Sequence, residues 1–195
     1  MKFQIIAITI LLSFYGCYFA KMFEQRKKGI ETNQLGRGKA GAAKWIEMTM
    51  KVAAYIVPIA EIMSIVFNVN SVSLPVRVSG AAVGTLGVAV FITSVLTMRD
   101  SWRAGVSKTD KTELVTKGIY QFSRNPAFLG FDLLYIGIVM MFFHWPLLIV
   151  SVFAILIFHL QIVNVEERFL LEAFGDEYLC YKKKVCRYFG RKIGR

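Results

Sequence analysis

Two short stretches of this chain gather residue types that could do chemistry. The first is Ser123-Arg124-Asn125-Pro126. A proline suits the first turn of a helix, and the residue before it is biased towards an extended, capping conformation. Asn125 therefore reads as a helix N-cap beside a cation, a corner where backbone N–H groups and Arg124 could together favour an anion. The second is Glu166-Glu167, late in a run from Pro146 to Phe174 that has no further proline and no glycine. Carboxylates there could accept hydrogen bonds from hydroxyl or amino groups of a ligand. Local physics leaves a plainer reading open for each stretch. The first is equally a helix cap next to an arginine that fixes membrane orientation, and the second a solvated acidic face.

The segment around the first stretch is long and patterned. About 29 residues, 98–126, separate two apolar runs, too many for an idle connector in a compact protein. Its second half alternates turn residues with apolar anchors, Thr112-Glu113-Leu114-Val115 and then Lys117-Gly118-Ile119-Tyr120. Gly118 permits a positive φ or a close backbone approach. Beyond the second stretch, Glu167, Leu170 and Phe174 share a helix face. Gly175 is the expected stop, and Asp176 the N-cap of a short helix carrying Tyr178 and Tyr181. His159 reads as a hydrogen-bonded interhelical histidine. Gly80, Gly84 and Gly87 lie inside an apolar run, where small residues let helices pack closely, so they carry no cofactor role. Three cysteines, Cys17, Cys180 and Cys186, match neither a zinc site nor a disulfide framework, and no metal is expected. Phosphate-binding loops, dinucleotide fingerprints and nucleophile motifs are missing from the sequence.

The elements that must position these residues are apolar runs. The chain has 195 residues, 55% hydrophobic and 19% charged. Residues 3–20 carry no charge, and 74–97 only Arg77, near one end where it can snorkel. Residues 127–163 are nearly continuous apolar sequence broken at His144-Trp145-Pro146. Each half is about 17 to 19 residues, roughly 26 to 28 Å of helix, which suits a hydrocarbon core of about 30 Å. Residues 45–67 form a further span, with Glu47 and Lys51 placed to pair on one face and Glu61 required to face other helices. The expectation is an all-α membrane bundle of five transmembrane helices. Residues 1–97 would form a three-span scaffold, and 98–195 a core of cytosolic loop, two-span hairpin and helical tail. The first span reads as a retained helix rather than a cleaved signal, since only Lys2 precedes it and Ser13-Phe14-Tyr15 is a poor cleavage region.

Basic residues set the expected orientation. They crowd the segments after spans one, three and five, while residues 68–73 and the His144 turn have none. That places the N-terminus outside and the long loops and C-terminus in the cytosol. The net charge of +11 is then explained by topology and by attraction to anionic membrane lipids, with no nucleic acid needed.

At the two chemical stretches the sequence resembles the isoprenylcysteine carboxyl methyltransferase family, within the wider group that includes phospholipid methyltransferases. The residues that carry the resemblance are Glu113 to Tyr120, Arg124 to Gly130, Glu166-Glu167, Phe174 to Tyr178 and Tyr181-Lys182-Lys183. They cover roughly the C-terminal 90 residues, and the compact form is similar to prokaryotic members. The resemblance implies an enzyme that moves a methyl group from S-adenosylmethionine, leaving S-adenosylhomocysteine, to a lipophilic acceptor entering from the bilayer. It implies that Thr112, Glu113, Leu114, Val115, Gly118 and Tyr120 line the cofactor site, that Asn125, Pro126, Ala127 and Phe128 close it, and that Tyr178 and Tyr181 contribute. One of Glu166 and Glu167 would bind the cofactor, while Arg124, Asn125 and Glu167 are the catalytic candidates, with Arg124 handling a carboxylate.

The chain departs from the family where Arg-His-Pro becomes Arg124-Asn125-Pro126. Asn can orient a ligand but cannot carry a proton near neutral pH. A carboxylate acceptor needs no proton removed, whereas a protonated amine does, so a prenylcysteine-like carboxylate is the expected acceptor and a phospholipid amine the alternative. A small transporter or scaffold is the rival of a different class, but it should place polar groups near the bilayer midplane, where only Glu61 and His159 qualify. Oligomeric state stays open.

Overall fold

The computed structural model describes residues 1–36, 39–68, 71–103, 105 and 113–192. Among them are six α-helices and no β-strand, and Val185 pairs with Arg191 in an isolated antiparallel bridge. The helices are α1 (Lys2–Lys27), α2 (Gly41–Val66), α3 (Leu74–Met98), α4 (Pro126–Met141), α5 (Trp145–Gln161) and α6 (Glu167–Lys184). Four helical stretches, beginning at Lys2, Gly41, Leu74 and Trp145, are long and apolar enough to cross a membrane. The remaining apolar helix, α4, has 16 residues, about 24 Å. Large apolar side chains such as Leu12, Tyr55, Ile59, Leu86, Ile149 and Leu156 face outwards, as lipid contact requires. The chain is an integral membrane protein built as a helical bundle.

Glycine determines how closely α4 lies to α3. A Cβ on Gly80 would stand 2.7 Å from the Gly137 carbonyl, and one on Gly87 2.8 Å from the Gly130 carbonyl. The small-residue stripe of α3 thus has a matching partner within the chain. Above this seam Phe14 of α1 stacks on Phe91 at 4.2 Å and meets Phe131 edge-on at 4.7 Å, so α1, α3 and α4 share one aromatic core. α2 runs antiparallel to α5 with polar contacts at both ends: Ser64 meets His144, and Glu47 meets Gln161.

The break between α4 and α5 falls where expected, with His144 Nδ1 accepting from the Leu147 N–H at 3.3 Å to cap α5. Three expectations need correction. Glu47 is fully buried and pairs with Lys39, not Lys51, because its side chain turns into the bundle. Arg77 does not snorkel. It is 8% exposed, with its guanidinium over the rings of Phe3 (4.4 Å) and Phe142 (5.0 Å). The run from Pro146 to Phe174, which its lack of further glycine and proline predicts as one long helix, is interrupted by a π-helical turn at Ile162–Glu166, while Gly175 breaks the chain at the expected stop with φ 47°. Glu61 is fully buried, as a carboxylate inside a span must be.

Candidate active site

The ends of α1, α3 and α5 and the starts of α2 and α4 meet at one end of the bundle, and a cavity opens there. Its cavity volume is about 130 Å³, and its mouth is open. One wall is Met98, Ser101, Trp102 and Arg103, where α3 runs out. A second is Glu113, Leu114, Val115 and Tyr120. The start of α4 supplies Arg124, Asn125, Ala127 and Phe128, and the π turn and α6 supply Glu166, Phe169, Leu170, Phe174 and Tyr181. The walls are therefore mainly apolar and aromatic, with carboxylate, guanidinium and amide groups at separate points.

Local geometry explains each placement. Gly118 adopts φ +57° against Thr97 of α3, which starts the short 3-10 turn that turns Tyr120 inwards. Tyr120 is 6% exposed, its hydroxyl 2.8 Å from Ser94 Oγ, and its carbonyl accepts from Tyr181 Oη at 2.6 Å. Burial pushes both phenols above their ordinary value. The tail docks on the same segment: the Arg124 N–H donates to the Cys186 carbonyl, and the Gly190 N–H to Phe122 O.

The charges are arranged around Glu167. Its carboxylate pairs with Arg124 Nη2 at 3.0 Å, Lys182 Nζ at 3.0 Å and Arg187 Nε at 2.8 Å. α5 covers about 26 Å with 17 residues, so the span ends at Gln161 and both glutamates project past it. Burial alone would raise the Glu167 carboxyl, but the hydrogen bonds from Arg187 and Lys182 and the Arg124 charge hold it at about 2. Arg124 also donates to Tyr178 Oη at 2.7 Å, while its Nε has no partner among the described residues. Glu166 faces the cavity instead. Desolvation pushes its carboxyl up to about 7 against the opposing hydrogen bond from Gln161.

Residues 76–177 match the phospholipid methyltransferase family, more than half of the chain. The chain belongs to the phospholipid methyltransferase family. Relatives include the protein-S-isoprenylcysteine O-methyltransferase of Saccharomyces cerevisiae, 38% identical over 72 residues, covering 37% of this chain and 30% of that one. The enzyme of the same name from Schizosaccharomyces pombe is 35% identical over 80 residues, 40% and 34% of the two chains. That from Mus musculus is 35% identical over 78 residues, 40% and 28%. The matched stretches thus span about a third of the length of these relatives.

For this family member, the candidates read from sequence divide into two sets. Glu113, Leu114, Val115, Tyr120, Arg124, Asn125, Ala127, Phe128, Glu166 and Tyr181 line the cavity. Gly118, Pro126, Glu167 and Tyr178 sit behind the lining and hold it, and Thr112 lies outside the described residues. Asn125 occupies the N-cap position without capping α4, and its Nδ2 donates to the Arg187 carbonyl at 3.1 Å. His159 is hydrogen-bonded, at 2.7 Å to Tyr188 Oη in the tail. Sequence reasoning missed Trp102, Phe169 and Arg187. From sequence, Arg187 is one of the basic residues that crowd the segment after span five, and nothing in its local pattern distinguishes it from its neighbours. Trp102 is placed by Gln25 of α1, whose Nε2 donates to its carbonyl at 2.8 Å, a contact across 77 positions.

Proposed function

We propose that the chain is a membrane methyltransferase that moves a methyl group from S-adenosylmethionine to the carboxylate of a lipophilic, prenylcysteine-like acceptor. The observation that carries this reading is Arg124. It stands at the cavity wall at the start of α4, in a cluster where Arg124, Lys182 and Arg187 share one carboxylate. That excess of positive charge, with an unpartnered Nε donor among the described residues, favours an anionic acceptor group. The side chains around the cavity also suit the chemistry of the cofactor. Glu166 would accept hydrogen bonds from hydroxyl or amino groups, and Trp102, Phe128 and Phe169 offer apolar faces for a flat ring. When bound, S-adenosylmethionine supplies a methyl group made electrophilic by its sulfonium.

The rest is the work of the protein. An ionised carboxylate is already a nucleophile, so no side chain has to take a proton, and Asn125, a carboxamide that is not basic near neutral pH, is not needed as a base. Glu167 and Tyr178 hold the Arg124 guanidinium in place, and the apolar walls keep water away, so rate enhancement comes from orientation. The basic segments gathered at the cavity end suit the cytosolic face and its anionic lipids, with the N-terminus on the other side and the acceptor arriving through the bilayer.

A methyl-transfer assay in proteoliposomes, comparing a prenylcysteine analogue with phosphatidylethanolamine, tests the acceptor. Faster transfer to the prenylcysteine analogue is expected. The family's description supports a second reading, methylation of a phospholipid amine, and preferential labelling of phosphatidylethanolamine would establish it instead. Absence of any calorimetric response to S-adenosylhomocysteine would favour a non-catalytic protein.

A further inference from the structure

α5 does not pass directly into α6. In an α-helix, residues five apart point about 140° away from each other, so Gln161 and Glu166 would face different neighbours. The π turn at Ile162–Glu166 brings them together. Gln161 Nε2 donates to Glu166 Oε1 at 3.4 Å and to Glu47 Oε1 at 3.1 Å. Gln161 and Glu47 are both completely buried. The side-chain amide has two hydrogens, and each is directed at a different carboxylate.

Glu47 is itself anchored from the loop between α1 and α2. Lys39 pairs with its Oε1, and the Gly36 N–H donates to its Oε2 at 2.6 Å. Lys39, Gly36 and Glu47 all precede the family-matched residues 76–177. Stability alone does not account for this arrangement. A buried ion pair is commonly no better than apolar packing of the same volume, and the π turn interrupts regular helical bonding. The arrangement does provide a rigid donor pointed at a carboxylate on the cavity wall.

We infer that Gln161 is a positioning residue: braced by the Lys39–Glu47 pair of the N-terminal half, it holds the Glu166 carboxylate towards the bound cofactor. This rests on the reading of Glu166 as a cofactor-binding group. It makes the α1–α2 loop part of the site's support.

The test is S-adenosylhomocysteine affinity, measured by calorimetry on the purified full-length protein, for Glu166→Gln, Gln161→Leu, the double variant and Glu47→Gln. Gln161→Leu is expected to weaken binding about tenfold, the size of one charge-assisted hydrogen bond, and to raise KM for the methyl donor without raising KM for the acceptor. In the Glu166→Gln background it should have no further effect. Glu47→Gln, which keeps the shape and removes the charge that holds Gln161, should weaken binding about threefold, a fraction of that same hydrogen bond. If Glu166→Gln leaves affinity unchanged, the reading of Glu166 fails. If Glu166→Gln weakens binding but Gln161→Leu does not, or if the two effects simply add, the positioning role is overturned. Should Gln161→Leu not fold, Gln161→Asn, which withdraws the amide by one methylene, carries the same comparison.

Discussion

Gly137 on α4 is the most constrained position on the seam with α3. A Cβ there would stand 2.5 Å from Gly84 N, 2.6 Å from Gly84 Cα and 2.8 Å from the Gly80 carbonyl. Carbon contacts settle at about 3.5–4.0 Å, so the helices would have to separate by about 1 Å. All three atoms are helix backbone, and no side-chain rotation can relieve the clash. Overpacking costs about 1–3 kcal/mol, and a backbone clash belongs at the upper end, about 3 kcal/mol. Gly84, directly opposite, is the control. A Cβ there meets only ordinary neighbours, Ile10 carbons at 3.4 and 3.6 Å and Gly137 Cα at 3.9 Å, so Gly84→Ala should change stability by less than about 0.5 kcal/mol. At roughly 2–4 °C per kcal/mol for a chain of this size, Gly137→Ala should lower the thermal midpoint in a fixed detergent by about 6–12 °C. Because α4 carries Ala127 and Phe128 into the cavity, the same variant should also bind S-adenosylhomocysteine more weakly. Equal effects of the two substitutions, or tolerance of Gly137→Ala, would refute the argument that backbone proximity sets this seam.

Three further outcomes follow from the charges and hydrogen bonds at the site. Glu167→Gln should destabilise the fold by about 3 kcal/mol, since Arg124, its side chain 4% exposed, loses its buried counter-charge. The Glu167 carboxyl lies at about 2 in the fold against an ordinary 4.5, so its stabilisation is complete above pH 4.5 and is lost as the pH falls towards 2. Acid unfolding followed by circular dichroism should lack that component in Glu167→Gln. Tyr181→Phe removes the donor to the Tyr120 carbonyl and should cost about 1–3 kcal/mol in thermal or denaturant unfolding. Glu166, at about 7 against 4.5, works the other way: its burial costs stability as pH rises from 4.5 to 7. Affinity for a ligand that donates hydroxyl hydrogens to its ionised form should therefore rise between pH 6 and 8, and Glu166→Gln should flatten the profile.

The fold was legible where a single element decides its own structure. Apolar run length set the spans, His144-Trp145-Pro146 marked the hairpin, and Gly118 and Gly175 took the positive φ that glycine allows. What was hidden depends on distant partners. Glu47 and Lys51 satisfy the four-residue rule, yet Glu47 turns to Lys39 and Gln161, the latter 114 positions away. Arg77 had open water as one option and the Phe3 and Phe142 faces as another, and only the fold puts both rings within reach. Asn125 has good capping chemistry, yet the contact it makes is across the fold, its Nδ2 donating to the Arg187 carbonyl of the docked tail. The π turn has no glycine or proline to announce it, and the Gln161 contacts it allows, to Glu166 and to Glu47, involve a partner 114 positions away.

The adjacent glutamates show why a motif with two identical residues need not have two interchangeable members. Consecutive positions on a helix point about 100° apart, so one cavity cannot readily take both side chains. Glu167 turns away from the opening and is surrounded by Arg124, Lys182 and Arg187, which keep it ionised under all ordinary conditions. Its effect on a ligand therefore passes through Arg124, whose guanidinium it fixes. Glu166 faces the cavity, where desolvation outweighs the Gln161 hydrogen bond and the Lys39 charge. Its protonation is left near neutrality, where a bound donor can shift it. Removing Glu167 should thus disturb the fold first and binding second, while removing Glu166 should disturb binding and leave the fold in place. If both substitutions lowered the thermal midpoint equally, the division of labour between the two carboxylates would be wrong.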